Sequence, residues 1–141
     1  MKKKLKTLKK LTEAKGAPGS EEQVKNIMIE ELKDICLFEN DGLGSLIAYN
    51  TPKFKEKPTV MIASHMDEIG LIVNKIDSKG YIKFYPLGGW WGHVLLGQEM
   101  IITTSTGKEI LGIIGSTPPH LLEGNARNTV VRPDKMFIDI G

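Results

Sequence analysis

Apolar and polar positions divide the chain into two stretches of different period. In the first, Leu5, Leu8 and Leu11 recur at helical spacing among lysines, so an amphipathic helix is expected over 5–15 with the leucines turned inward. Gly16-Ala17-Pro18-Gly19 ends it. Ser20 then reads as an N-cap, with Gln23 completing a capping box and Glu21 and Glu22 at the positive helix end. Val24, Ile27, Met28, Leu32 and Ile35 form one stripe, predicting a second helix from about Glu21 to about Asp34. Asp41, Gly42 and Gly44 mark a turn before a strand over 45–49, and 50–58, with Pro52 and Pro58, reads as an exposed loop. Thr59 to Ala63 is a short β-branched, apolar run, the pattern of a strand buried on both faces.

Beyond Gly70 the period changes to that of strands. Leu71–Ile76 and Tyr81–Tyr85 flank Asp77-Ser78-Lys79-Gly80, and Met100–Thr104 and Glu109–Ile114 flank Ser105-Thr106-Gly107-Lys108. Two hairpins are expected. Between them Gly88-Gly89-Trp90-Trp91 suggests a bend anchored by buried indoles, a reading preferred over a sugar- or peptide-binding surface. Pro133-Asp134-Lys135 leads into a lone alternating strand over 136–140. No helical period runs from 69 to 116, so an all-β module is expected, with a boundary near Gly70.

The 141 residues suit one domain of ordinary size, or a small domain with part of another. No apolar run approaches 18 residues, which argues against a membrane partner. A single cysteine, Cys36, excludes an internal disulfide and fits a cytoplasmic setting; it reads as a small core residue at the end of the second helix. The net charge of +2 conceals an asymmetry: seven lysines fall in the first 15 residues, while beyond them 12 basic residues face 16 acidic ones. Without interleaved aromatic or glycine residues the basic arm reads as a solvated helix face, and no nucleic-acid partner is expected.

Candidate chemistry concentrates where the apolar strand ends, in Ser64, His65, Asp67 and Glu68. In extended chain His65 and Asp67 point the same way. A carboxylate there can hold the imidazole tautomer while the other nitrogen binds a metal. Open α/β sheets also place their ligands at such strand ends. A structural role for His65 is the competing reading. Nothing in the spacing of His93 and His120 supports a three-histidine zinc site with His65. No phosphate-binding loop, nucleophile elbow or cysteine pair is present. Spacing alone therefore offers one ligand, His65, and one orienting carboxylate, Asp67.

His65-Met66-Asp67-Glu68-Ile69-Gly70 after an apolar strand resembles the signature of the M42 metallo-aminopeptidases, a family that also carries glutamyl-aminopeptidase and endoglucanase labels. Further matches are Asp41-x-x-Gly44-x-Leu46-Ile47-Ala48, Gly88-Gly89-Trp90 with Val94-Leu95-Leu96-Gly97-Gln98, Gly112 to Leu122, and Met136 to Gly141. The chain departs from the pattern at Trp91-Gly92-His93 and Gly124-Asn125-Ala126. The resemblance implies a two-metal hydrolase, using zinc, cobalt or manganese, that removes N-terminal residues from peptides. His65 would bind one metal and Asp67, the catalytic-site carboxylate, would orient it; Glu68 receives no role.

The implied fold is α/β: residues 1–70 as the start of a zinc-peptidase-like catalytic domain, and 71–141 as part of an inserted β-barrel used for dimerisation and as a lid. The resemblance places the other ligands, the bridging aspartate and the general-base glutamate beyond this chain. An incomplete active site and homo-oligomerisation through the β-domain are thus expected. The alternatives are an inert association module and a glucanase-type hydrolase. The latter suits a His-x-Asp motif less well than paired acid and base carboxylates would.

Overall fold

The computed structural model describes residues 2–50 and 60–141, and the chain divides into two compact units, Met1–Glu68 and Ile69–Gly141. Both helices and sheets are present, in keeping with an α/β chain. Among the described residues no helix is long and apolar enough to cross a membrane.

The first unit holds helices α1 (Lys2–Glu13) and α2 (Glu22–Leu32) and a hairpin of β1 (Leu37–Asn40) and β2 (Leu46–Tyr49). The helices meet at an ion pair, Lys10 Nζ to Glu31 Oε1 at 2.9 Å. The inward turn expected of the α1 leucines is only partial: Leu11 is half-buried, whereas Leu5 and Leu8 are exposed. The reason is one of area, since α1 packs on little but α2 and no residue of α1 is buried. The capping box does not form either. α2 starts at Glu22 without a side-chain cap, because Gln23 accepts the backbone N–H of Lys15 and Glu21 folds back onto the N–H of Gly19. Cys36 is half-buried rather than a core residue, its Sγ 3.9 Å from Asn50 Oδ1.

β1 has no clear period of its own. It forms through β2, with Leu37 opposite Tyr49 and Asn40 opposite Leu46, and the Tyr49 hydroxyl donates to Glu39 at 2.7 Å. The Asp41 carboxylate accepts the N–H groups of Leu43 and Ser45 at the turn between them, at 2.9 and 2.8 Å. This is the local hydrogen bonding that makes aspartate a turn former.

The expected strand over 59–63 is not formed in its described part. Thr59 lies outside the described residues, as does the loop over 51–58, and Val60–Ala63 carry no regular structure. Ile62 is 91% exposed. A run this apolar forms a buried strand only when neighbouring strands cover both faces. Among the described residues the first unit supplies one short hairpin and no such cover.

In the second unit β3 (Gly70–Ile76), β4 (Ile82–Leu87), β5 (Glu99–Thr103), β6 (Glu109–Gly115) and β7 (Phe137–Asp139) form one antiparallel sheet in the order β3-β4-β7-β6-β5. Both expected hairpins are present, and the lone terminal strand joins them at the centre of the sheet. Its position follows from burial. Ile138 lies opposite Ile82 on β4 and Ile114 on β6, and all three are core residues. Phe84, Leu95 and Met136 complete this core, with Leu71, Trp90, Met100, Ile102 and Val131 packed against it.

Gly112 on β6 makes room for β7: a Cβ there would run into the Ile138 side chain and lie 3.1 Å from the Asp139 carbonyl oxygen. Of the two tryptophans only Trp90 is the anchor expected, donating its indole N–H to the Gly70 carbonyl at 2.8 Å. Trp91 is 65% exposed and meets His93 in a tilted ring contact, with centroids 4.5 Å apart.

Candidate metal-ligand site

Ser64–Glu68 crosses the surface of the first unit without regular structure, so its geometry depends on side-chain and loop hydrogen bonds rather than on a ladder. His65 and Asp67 meet there. The imidazole Nδ1 lies 3.1 Å from Asp67 Oδ1 and 3.0 Å from the Asp67 carbonyl oxygen. Two acceptors facing one ring nitrogen require it to carry the proton. The neutral imidazole is then the Nδ1–H tautomer, with its lone pair at Nε2. The histidine side chain is 84% exposed and the aspartate 44%, so Nε2 is open to a ligand. This arrangement is the usual one for a ligating histidine, in which the distal nitrogen binds and the proximal N–H is held by a carboxylate or carbonyl.

The segment is tied to the loop after α1. Glu68 N–H donates to the Gly16 carbonyl at 2.7 Å, and the Gly16 N–H donates to Glu68 Oε1 at 3.2 Å. Gly16 is buried, and a side chain there would be tight: a Cβ would lie 3.0 Å from the Met66 carbonyl oxygen and 3.1 Å from Val24 Cγ2, so a neighbour would have to shift. In the sequence Gly16 reads only as part of a helix stop and Glu68 has no evident role. A contact across 52 residues leaves no local signal.

The His65 segment borders two recesses of the first unit. One, of about 650 Å³, is mainly apolar, with Leu11, Val24, Met28, Leu46 and Ile62 in its wall. The other, of about 220 Å³, lies between Ser64–Asp67 and the Leu43–Leu46 stretch, with Glu21 at its side. Hydrogen bonds from the Ser45 side chain and from the N–H groups of Ser45 and Leu43 hold the Asp41 carboxyl below the usual aspartate range.

His93 and His120 both belong to the second unit and are exposed. Among the described residues no three His, Cys, Asp or Glu side chains gather as a complete metal site. The chemistry on hand is a single oriented imidazole donor.

A profile of the family described as M42 glutamyl aminopeptidase matches residues 44–141, and a second, AMPT, matches residues 2–28. The lysyl aminopeptidase of Pyrococcus furiosus is 36% identical over 138 residues, covering 95% of this chain and 38% of that protein. The crystal structure of a TET aminopeptidase from the marine sediment archaeon Thaumarchaeota archaeon SCGC AB-539-E09 superposes with a TM-score of 0.90 at 39% identity. It covers the whole of this chain and 39% of the archaeal one. The TET1 peptidase of Pyrococcus horikoshii, which can assemble into a tetrahedron or a large octahedral shell, superposes with a TM-score of 0.75 at 34% identity, covering 97% of this chain and 40% of that one. The chain thus spans little more than a third of the length of the relatives it matches.

Proposed function

Because this chain belongs to the M42 glutamyl aminopeptidase family, we propose that it supplies one corner of a two-metal site in an enzyme that removes N-terminal residues from peptides. The observation that carries this reading is the His65–Asp67 pair, an exposed imidazole whose Nδ1 is held at 3.1 Å by a carboxylate and whose Nε2 faces outward. An imidazole so oriented fits a divalent ion such as zinc, cobalt or manganese. His65 would be the ligand and Asp67 the residue that fixes its tautomer and ring orientation. The ions, when bound, supply a water of lowered pKa and polarise the scissile carbonyl.

Among the described residues of the first unit one donor is oriented, enough to bind an ion weakly but not to fix it in a site that takes at least three protein ligands, and the first unit is read as the start of the catalytic domain. The second unit is part of the inserted β-domain. Exposed Ile101, Leu111 and Ile113 on β5 and β6 give it apolar surface for homo-oligomeric contacts, in keeping with the assembly described for the Pyrococcus horikoshii peptidase. The proposed setting is cytoplasmic.

An assay of the 141-residue chain on aminoacyl-anilides with added cobalt or zinc tests the incomplete site. The expected outcome is no turnover above the metal-only control. Robust turnover would overturn the one-corner reading.

A further inference from the structure

We propose that Glu68 is a positioning residue, whose two-point clamp on Gly16 aims the Asp67 carbonyl at His65 and so holds the imidazole for a metal. The inference rests on the reading of His65 as a ligand and adds the means by which it is held.

One peptide unit carries the argument. The bond between Asp67 and Glu68 is planar and trans, so its C=O and N–H point in opposite directions and move together. Its N–H is fixed by the Gly16 carbonyl at 2.7 Å. Its C=O therefore faces away from Gly16, and it is this oxygen that lies 3.0 Å from His65 Nδ1. A tilt of the peptide at the Gly16 end reappears as a displaced acceptor at the imidazole end. The Glu68 carboxylate closes the clamp from the other side by accepting the Gly16 N–H at 3.2 Å. Ser64–Glu68 has no ladder to supply this constraint, and the approach is close enough that Gly16 tolerates no Cβ without displacing the Met66 carbonyl or Val24. Groups that orient a ligating histidine from behind are worth roughly 10- to 100-fold in metal affinity.

The test uses the full 141-residue chain, isotopically labelled, with zinc as the probe. Zinc affinity at the His65 ring and hydrogen exchange of the Gly16 amide are read by NMR for the parent, Glu68→Ala, Glu68→Gln and His65→Ala. Glu68→Ala is expected to weaken zinc binding about tenfold and to speed exchange of the Gly16 amide. Glu68→Gln, whose side-chain oxygen still accepts that N–H, is expected to stay within about twofold of the parent in both. Unchanged zinc affinity in Glu68→Ala overturns the proposal, as does an equally protected Gly16 amide. If Glu68→Ala fails to fold, Glu68→Asp takes its place with the same expectations, its carboxylate being one methylene short of Gly16. Zinc binding that survives His65→Ala at parental strength removes the ligand reading of His65 instead. The Gly16 exchange comparison and the His65 Nδ1 resonance then decide the clamp by themselves.

Discussion

Asp67 faces His65 with two oxygens, one from its side chain and one from its backbone, and the two differ in what mutation can remove. Asp67→Ala takes the carboxylate and leaves the carbonyl. The Nδ1–H tautomer should lose part of its preference, and metal affinity should fall by about tenfold, read as weaker zinc shifts at the ring. That the pair meets was legible from the His-x-Asp spacing. That the backbone carbonyl shares the contact was not, because it depends on a peptide orientation set by Gly16. Asp41 offers a separate test in the hairpin turn. Its carboxyl is held below the ordinary value near 3.8 by the Ser45 side chain and by backbone N–H groups. A depressed folded-state value means the turn's contribution is complete above the unfolded value and is lost as pH falls through the folded one. The Leu43 and Ser45 amide resonances should therefore titrate with a midpoint below 3.8, and Asp41→Asn should abolish that transition.

At the scale of elements, the strands of the second unit were legible because each hairpin carries its own signals: alternating apolar residues around Asp77–Gly80 and around Ser105–Lys108. The place of β7 was not. Residues 136–140 read only as a lone strand, and the central position of β7 depends on Ile138 meeting Ile82 and Ile114 from opposite sides. Two substitutions probe that junction by opposite means. Ile138→Ala opens a cavity among buried neighbours and should cost the second unit roughly 2–5 kcal/mol. Gly112→Ala drives a Cβ into the Ile138 side chain and should cost roughly 1–3 kcal/mol through overpacking. Chemical denaturation followed by tryptophan fluorescence reads both; a midpoint unmoved by either would remove β7 from the core. The strand over 59–63 went the other way. Its pattern is that of a buried strand, yet Val60, Met61 and Ile62 are exposed, because sequence pattern reports the environment a segment needs and not whether the unit at hand supplies it.

At the scale of the whole molecule, the family was legible from the motifs, and the chain covers little more than a third of the relatives' length. The completeness of a site is a matter of how many donors converge. Among the described residues one oriented imidazole stands where a metal needs three ligands, which is why no turnover is expected. The proposed role of His65 as a ligand through Nε2 can be read from long-range proton–nitrogen spectra of its ring during a zinc titration. A protonated Nδ1 in the free chain and a zinc-dependent shift confined to Nε2 are expected. A protonated Nε2 in the free chain, or a zinc response at Nδ1 or at neither nitrogen, would contradict that role.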